Sequence, residues 1–181
     1  MIHLDEQLFL WLNNLGTPTW DGFWLFITNK YNMAPLYLFL LGFSIWKWGW
    51  KKGLGVLGVA LLMIAFTDQV TNLFKSGFAR LRPCHDPDIA PLMRLVKAKC
   101  GGQFGFFSGH ASNSFAVALF FVGLFHKQYP HMRWLILWAA MVAYSRVYVG
   151  VHYPLDIFCG AIFGTASGYM FHRLYKWFFK V

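Results

Sequence analysis

The sequence predicts an all-α protein, an integral membrane helical bundle with five or six transmembrane helices and its active site at the outer membrane face. Two observations carry that prediction. The 181 residues are 57% hydrophobic and 20% aromatic but only 13% charged, and a soluble fold of this size would be hard pressed to hide so much apolar surface. The apolar residues also fall in runs close to the ~20 that a helix needs to cross the hydrocarbon core of a bilayer. The length suits one domain, 1–181, and there is no internal repeat, low-complexity tract or linker.

Residues 1–30 read as an N-terminal interfacial segment. Leu8, Phe9, Trp11 and Leu12 make an apolar stripe beside Asp5, Glu6, Asn13 and Asn14, which suits a helix lying along the bilayer surface. Gly16-Thr17-Pro18 breaks it, and the run 20–27 is too short to cross alone. The acidic opening is unlike a signal peptide. Five crossings follow, over 33–48, 53–74, 106–125, 134–149 and 155–175, the first and fourth near the lower length limit. A sixth built from residues 4–28 is the alternative.

The net charge of +9 comes from basic residues scattered in ones and twos between apolar runs. That distribution fits an anionic bilayer and a lipid headgroup, not nucleic acid. Lys47, Lys51 and Lys52 share one short connection, Lys127 and Arg133 another, and Arg173, Lys176 and Lys180 end the chain on the same side. The positive-inside rule makes that side cytoplasmic. The expected location is a bacterial inner (cytoplasmic) membrane with the site facing the periplasm or exterior. The 83–105 connection is then an extracytoplasmic loop. Its Cys84 and Cys100 fit either a disulfide of an oxidising compartment or two separate thiols.

Three blocks carry the chemistry. Lys75 is followed after six residues by Arg82-Pro83, then comes Ser108-Gly109-His110, then Ser145-Arg146 followed by His152 and Asp156. Three fixed cations, two imidazoles and a carboxylate in an apolar chain point to a bound anion. His152 and Asp156 are four residues apart, which on a helical turn puts them on one face. The carboxylate would hold the Nδ1 proton and leave Nε2 free to attack phosphorus. His110 would protonate the leaving oxygen and later activate water. Lys75, Arg82 and Arg146 would neutralise the phosphoryl oxygens, with Ser108 and the Gly109 N–H as further donors.

The order and spacing of these blocks resemble the type 2 phosphatidic acid phosphatase superfamily, whose pattern is K-x6-R-P, P-S-G-H and S-R-x5-H-x3-D. The one departure is Phe107, where the family usually has Pro. The resemblance implies the same roles: His152 the nucleophile, Asp156 its partner, His110 the acid. It also implies a lipid phosphate substrate in the membrane, with undecaprenyl pyrophosphate as the first choice. Phosphatidylglycerophosphate, phosphatidic acid and lipid A are the alternatives. More distant are a lipid-to-lipid phosphotransferase, a haloperoxidase-like use of the same pocket, and a non-enzymatic anion- or lipid-binding protein.

No cofactor or metal is expected, because three cations beside the histidines would repel a divalent ion, and no protein partner is implied. Asp68 is an acid placed within an apolar run, and Asp68, Asn72 and Lys75 fall at i, i+4 and i+7 on one helix face. Two readings stand for it: Asp68 and Asn72 hold Lys75 in place, or Asp68 bonds a neighbouring helix.

Overall fold

The computed structural model describes residues 2–180. Six α-helices follow one another: α1 (Ile2–Asn14), α2 (Pro18–Thr28), α3 (Ala34–Phe78), α4 (Gly109–Phe125), α5 (Trp134–Tyr148) and α6 (Pro154–Phe179), and no strand forms among the described residues. Pro18, Pro35 and Pro154 each stand in the first helical turn, where a missing N–H costs nothing and the fixed φ suits the helix.

Helix α3 is two rods. Gly49 adopts φ 79° and ψ 165°, a backbone conformation essentially confined to glycine, and the chain doubles back there. Leu41 and Leu57, with Leu38 and Leu61, consequently line one shared crevice between the limbs 34–48 and 50–78. The expected runs 33–48 and 53–74 are these limbs. The segment Lys30–Phe78 is long and apolar enough to cross a membrane.

At the centre lies α4, which packs most extensively on α6. Gly160, Gly164 and Gly168 stand at intervals of four on α6. A Cβ at any of them would come within 2.7, 2.2 or 2.4 Å of the Ser108, Ser112 or Ala116 carbonyl oxygen. Bare backbone there lets the two helices approach closely, the small-residue packing of helices in lipid. Around this core, Leu38, Trp46, Leu62, Leu73, Phe158 and Ile162 point outward and are exposed. So broad an apolar surface is suited to lipid.

The two ends of the bundle differ. At one, Tyr175 Oη donates to the Lys52 carbonyl at 2.9 Å and Lys47 Nζ lies 5.4 Å from the centre of the Tyr129 ring. The basic connections thus gather with the C-terminal end of α6. All three sequence blocks sit at the opposite end.

The N-terminal helices pack onto the end of the bundle. Phe9 is fully buried and meets Tyr153 edge-on at 5.3 Å. Asn13 is also fully buried; its Nδ2 donates to the Arg94, Val147 and Tyr148 carbonyls, and its Oδ1 accepts the Arg94 N–H at 2.7 Å. A carboxamide that can give and take hydrogen bonds satisfies loop backbone that burial would otherwise leave unpaired. Arg94 pairs with Asp21 of α2 at 2.9 Å, and Tyr148 Oη donates to the same carboxylate. Helices α1 and α2 therefore strap the 83–105 loop to the end of α5.

Candidate active site

Local geometry builds the site from three helix ends. The second limb of α3 closes at Ala79, in the left-handed region at φ 47°, so the chain turns sharply after Lys75 and brings Arg80 and Arg82 back over the bundle. The arms of the outer loop are stapled by Arg82 N–H to the Gln103 carbonyl at 3.1 Å and Gly105 N–H to the Arg80 carbonyl at 2.8 Å. The structure also joins Cys84 to Cys100 in a disulfide, with Cα atoms 6.1 Å apart. Ser108 caps α4, its Oγ accepting the Ala111 N–H at 3.4 Å.

A cavity of about 300 Å³ opens between these ends, lined by Lys75, Arg82, Gly109, His110, Arg146 and His152. Thr28, Lys30, Tyr37, Asp68, Asn113 and Trp138 are among its other walls. Asp156 lies behind His152, fully buried. Ser108 is buried beneath, and its N–H donates to the Asp156 carbonyl at 3.0 Å.

His152 is not on a helix face. It precedes the cap Tyr153, and Asp156 is the third residue of α6; the pair forms because the chain folds over the helix N-terminus. Nδ1 lies 3.3 Å from Asp156 Oδ2, and Nε2 lies 3.2 Å from Arg82 Nη1. A guanidinium only donates, so Nε2 carries the lone pair and Nδ1 the proton directed at Asp156. Burial, reinforced by Arg82, Arg146 and Lys75, holds the imidazole well below its ordinary pKa. The ring is therefore neutral with its basic nitrogen facing the cavity. Asp156 Oδ2 also accepts the Tyr153 N–H at 3.1 Å, closing a capping box.

Arg146 is 3% exposed. Its Nη1 donates to Thr28 Oγ1, while its Nε is buried with no partner among the described residues. A buried unpaired donor of a cation is costly, and an anion in the cavity would relieve it. Lys97 of the outer loop feels the same field: burial, then Arg146 and Arg82, push its ammonium pKa down.

The Asp68–Asn72–Lys75 face divides. Asn72 Oδ1 accepts from Lys75 Nζ at 3.3 Å. Asp68 Oδ1 accepts from Asn113 Nδ2 of α4 at 2.8 Å, a contact between helices. Asn113, itself bonded to Thr67, lies one helical turn from His110.

Two participants escaped the sequence reading. Arg80 binds Asp156 Oδ1 through Nη1 at 3.0 Å and Asp5 Oδ2 through Nη2 at 2.6 Å. Thr28, at the end of α2, supports Arg146. The signals for them were weak: Arg80 is a second Arg inside the first block, and Thr28 is a single hydroxyl after a short apolar run.

The model of the PAP2 superfamily matches residues 56–180. The chain is 38% identical over 93% of its length to the lipid A 4′-phosphatase of Bacteroides thetaiotaomicron, covering 76% of that protein. It is 35% identical over 97% of its length to the lipid A 4′-phosphatase of Porphyromonas gingivalis, covering 74% of it. The crystal structure of Aquifex aeolicus LpxE superposes with a TM-score of 0.71 at 26% identity, over 92% of this chain and 93% of that one. With the three blocks converging on one cation-lined cavity, and a family match over most of the chain, the protein is a phosphatase of the membrane and belongs to the PAP2 superfamily.

Proposed function

We propose that the protein removes a phosphate monoester from lipid A by way of a phosphohistidine on His152. The observation that carries the chemistry is the neutral, buried His152, with Nε2 facing a cavity ringed by Lys75, Arg82 and Arg146. The choice of lipid rests on the two relatives that are 38% and 35% identical over nearly the whole chain, both lipid A 4′-phosphatases. It replaces undecaprenyl pyrophosphate, the first expectation, with one of its stated alternatives.

The steps follow from the residues. On phosphate entry, the Arg82 donor now on Nε2 passes to a phosphoryl oxygen and frees the lone pair. Nε2 attacks phosphorus, the bond from phosphorus to the sugar oxygen breaks, and His110 gives that oxygen its proton. Asp156 steadies the Nδ1 proton as the ring gains charge. Water then gives a proton to His110 and attacks phosphorus, the N–P bond breaks, and inorganic phosphate leaves. The three cations and the Gly109 N–H offset charge on the transferring group throughout. No metal is needed for this sequence.

Two limbs of α3 with α4, α5 and α6 supply five spans of a single domain, and α1 and α2 pack onto its outer end. The basic connections lie at the other end, which by the positive-inside rule faces the cytoplasm. The site then opens to the periplasm or exterior, at the level where a tail can stay in the bilayer while the headgroup enters.

The test is phosphate release by detergent-solubilised protein in EDTA from lipid A, undecaprenyl pyrophosphate and phosphatidylglycerophosphate side by side. Mass spectrometry would locate the phosphate lost from lipid A. Preferred loss of the 4′-phosphate is expected. Turnover of the other lipids with lipid A untouched would overturn the substrate, and activity surviving in His152→Ala would overturn the mechanism.

A further inference from the structure

Arg80 and Asp5 stand outside the cavity yet touch the group on which the nucleophile depends. The Arg80 guanidinium does not grip Asp156 with both arms. Nη1 reaches Asp156 Oδ1 at 3.0 Å, while Nη2 is drawn to Asp5 Oδ2 at 2.6 Å. The plane of the group lies over the Tyr153 ring, 4.2 Å from its centre. Asp5 is anchored in turn, its Oδ1 accepting the Leu155 N–H at 2.8 Å in the first turn of α6. Asp156 and Asp5 are 0% and 8% exposed, and Arg80 is 20% exposed, so water competes little for these contacts.

The split grip has a consequence for His152. An Arg favours two parallel hydrogen bonds to one carboxylate, which here would engage both oxygens of Asp156. With Nη2 diverted to Asp5, Oδ2 is left for His152 Nδ1 and the Tyr153 N–H. We infer that Asp5 and Arg80 are positioning residues for catalysis: through Asp156 they set the tautomer and aim of the His152 imidazole. Asp5 belongs to α1, outside the 56–180 segment that the superfamily model matches. The N-terminal helix is thus coupled to the reacting centre across 150 residues of chain. This inference rests on His152 being the nucleophile, as proposed above.

The experiment compares purified wild type, Arg80→Ala, Arg80→Lys, Asp5→Asn, the double variant Arg80→Ala/Asp5→Asn and His152→Ala. Each is measured for kcat and KM on the preferred lipid and for inhibition by inorganic phosphate. Arg80→Ala should lower kcat about 10- to 100-fold, the scale seen when outer partners of an oriented imidazole are removed. KM and the phosphate inhibition constant should stay within about two-fold, because Arg80 does not line the cavity. Arg80→Lys should recover part of kcat. Asp5→Asn should lower kcat less than Arg80→Ala, and the double variant should be no worse than Arg80→Ala, since both act through one contact. If Arg80→Ala does not fold, the kcat of Asp5→Asn decides: unchanged kcat overturns the inference. Wild-type kcat in Arg80→Ala beside an inactive His152→Ala overturns it while leaving the nucleophile in place. A rise in the phosphate inhibition constant parallel to the loss of kcat also overturns it, making Arg80 a phosphate-binding cation. An active His152→Ala removes the reading beneath it.

Discussion

Replacing Arg146 by Met separates what this residue does for folding from what it does for catalysis. Arg146 is 3% exposed, with one arm on Thr28 Oγ1 and its Nε without a partner among the described residues. An unsatisfied buried donor costs about 1–3 kcal/mol, and more when charged. Methionine fills similar space without that cost and adapts to irregular gaps. Thr28 loses its donor, which takes back about 1 kcal/mol. The balance is a gain of about 0–2 kcal/mol for the variant, a rise in Tm of up to roughly 8 °C for a domain of this size. Catalysis moves the other way. Loss of one preorganised donor to the developing charge costs about 10²–10³ in kcat, or about 2.7–4 kcal/mol. The assay is thermal unfolding in detergent with and without inorganic phosphate, paired with turnover. Phosphate at a hundred times its Kd should stabilise wild type by about 2.7 kcal/mol and the variant far less. A variant destabilised by about 3 kcal/mol or more, with its phosphate response intact, would refute the reasoning. Arg146 would then be a structural residue and not a ligand of the bound phosphate.

Two further outcomes follow from the geometry. His152 is held well below its ordinary value of 6.5 in the folded protein, while the unfolded chain takes up the proton near 6.5. The unfolded state therefore binds more protons below that pH, and the stability contributed by His152 is present above about 6.5 and lost as pH falls toward the folded value. Urea unfolding between pH 7.5 and 5 should show this slope, at most about 1.4 kcal/mol per pH unit, and His152→Asn should flatten it; an equal slope in both would contradict the burial of a neutral ring. Gly164→Val should separate α4 from α6, because even a Cβ there would lie 2.2 Å from the Ser112 carbonyl oxygen. A loss of about 1–3 kcal/mol or more is expected, seen as a lower Tm and lost activity, and wild-type Tm would show that the helices cross less closely.

The helices and the residues that gather at the cavity were legible because their signals are local. Apolar run length gives a membrane helix directly, and the runs 134–149 and 155–175 lie within a few residues of α5 and α6. Pro154 and Ser108 mark the starts of α6 and α4 by their own backbone chemistry. The block spacings named Lys75, Arg82, His110, Arg146, His152 and Asp156, and the structure brings five of them to the cavity wall with Asp156 behind. The fate of Asp68 was not legible, since Asn113 lies 45 residues away and no periodicity links them.

By itself, the sequence determined a helical membrane protein, the motif blocks of a phosphatase superfamily and the polar residues that gather at the cavity, because each is written in composition or within a few residues. Only the tertiary structure decided the reversal of α3 at Gly49, the burial of Asn13 and the diversion of Arg80 between Asp156 and Asp5. These depend on which distant groups share a low-dielectric interior, where every buried charge and amide must find a partner. That choice is made by packing the whole chain, and no short stretch of sequence records it.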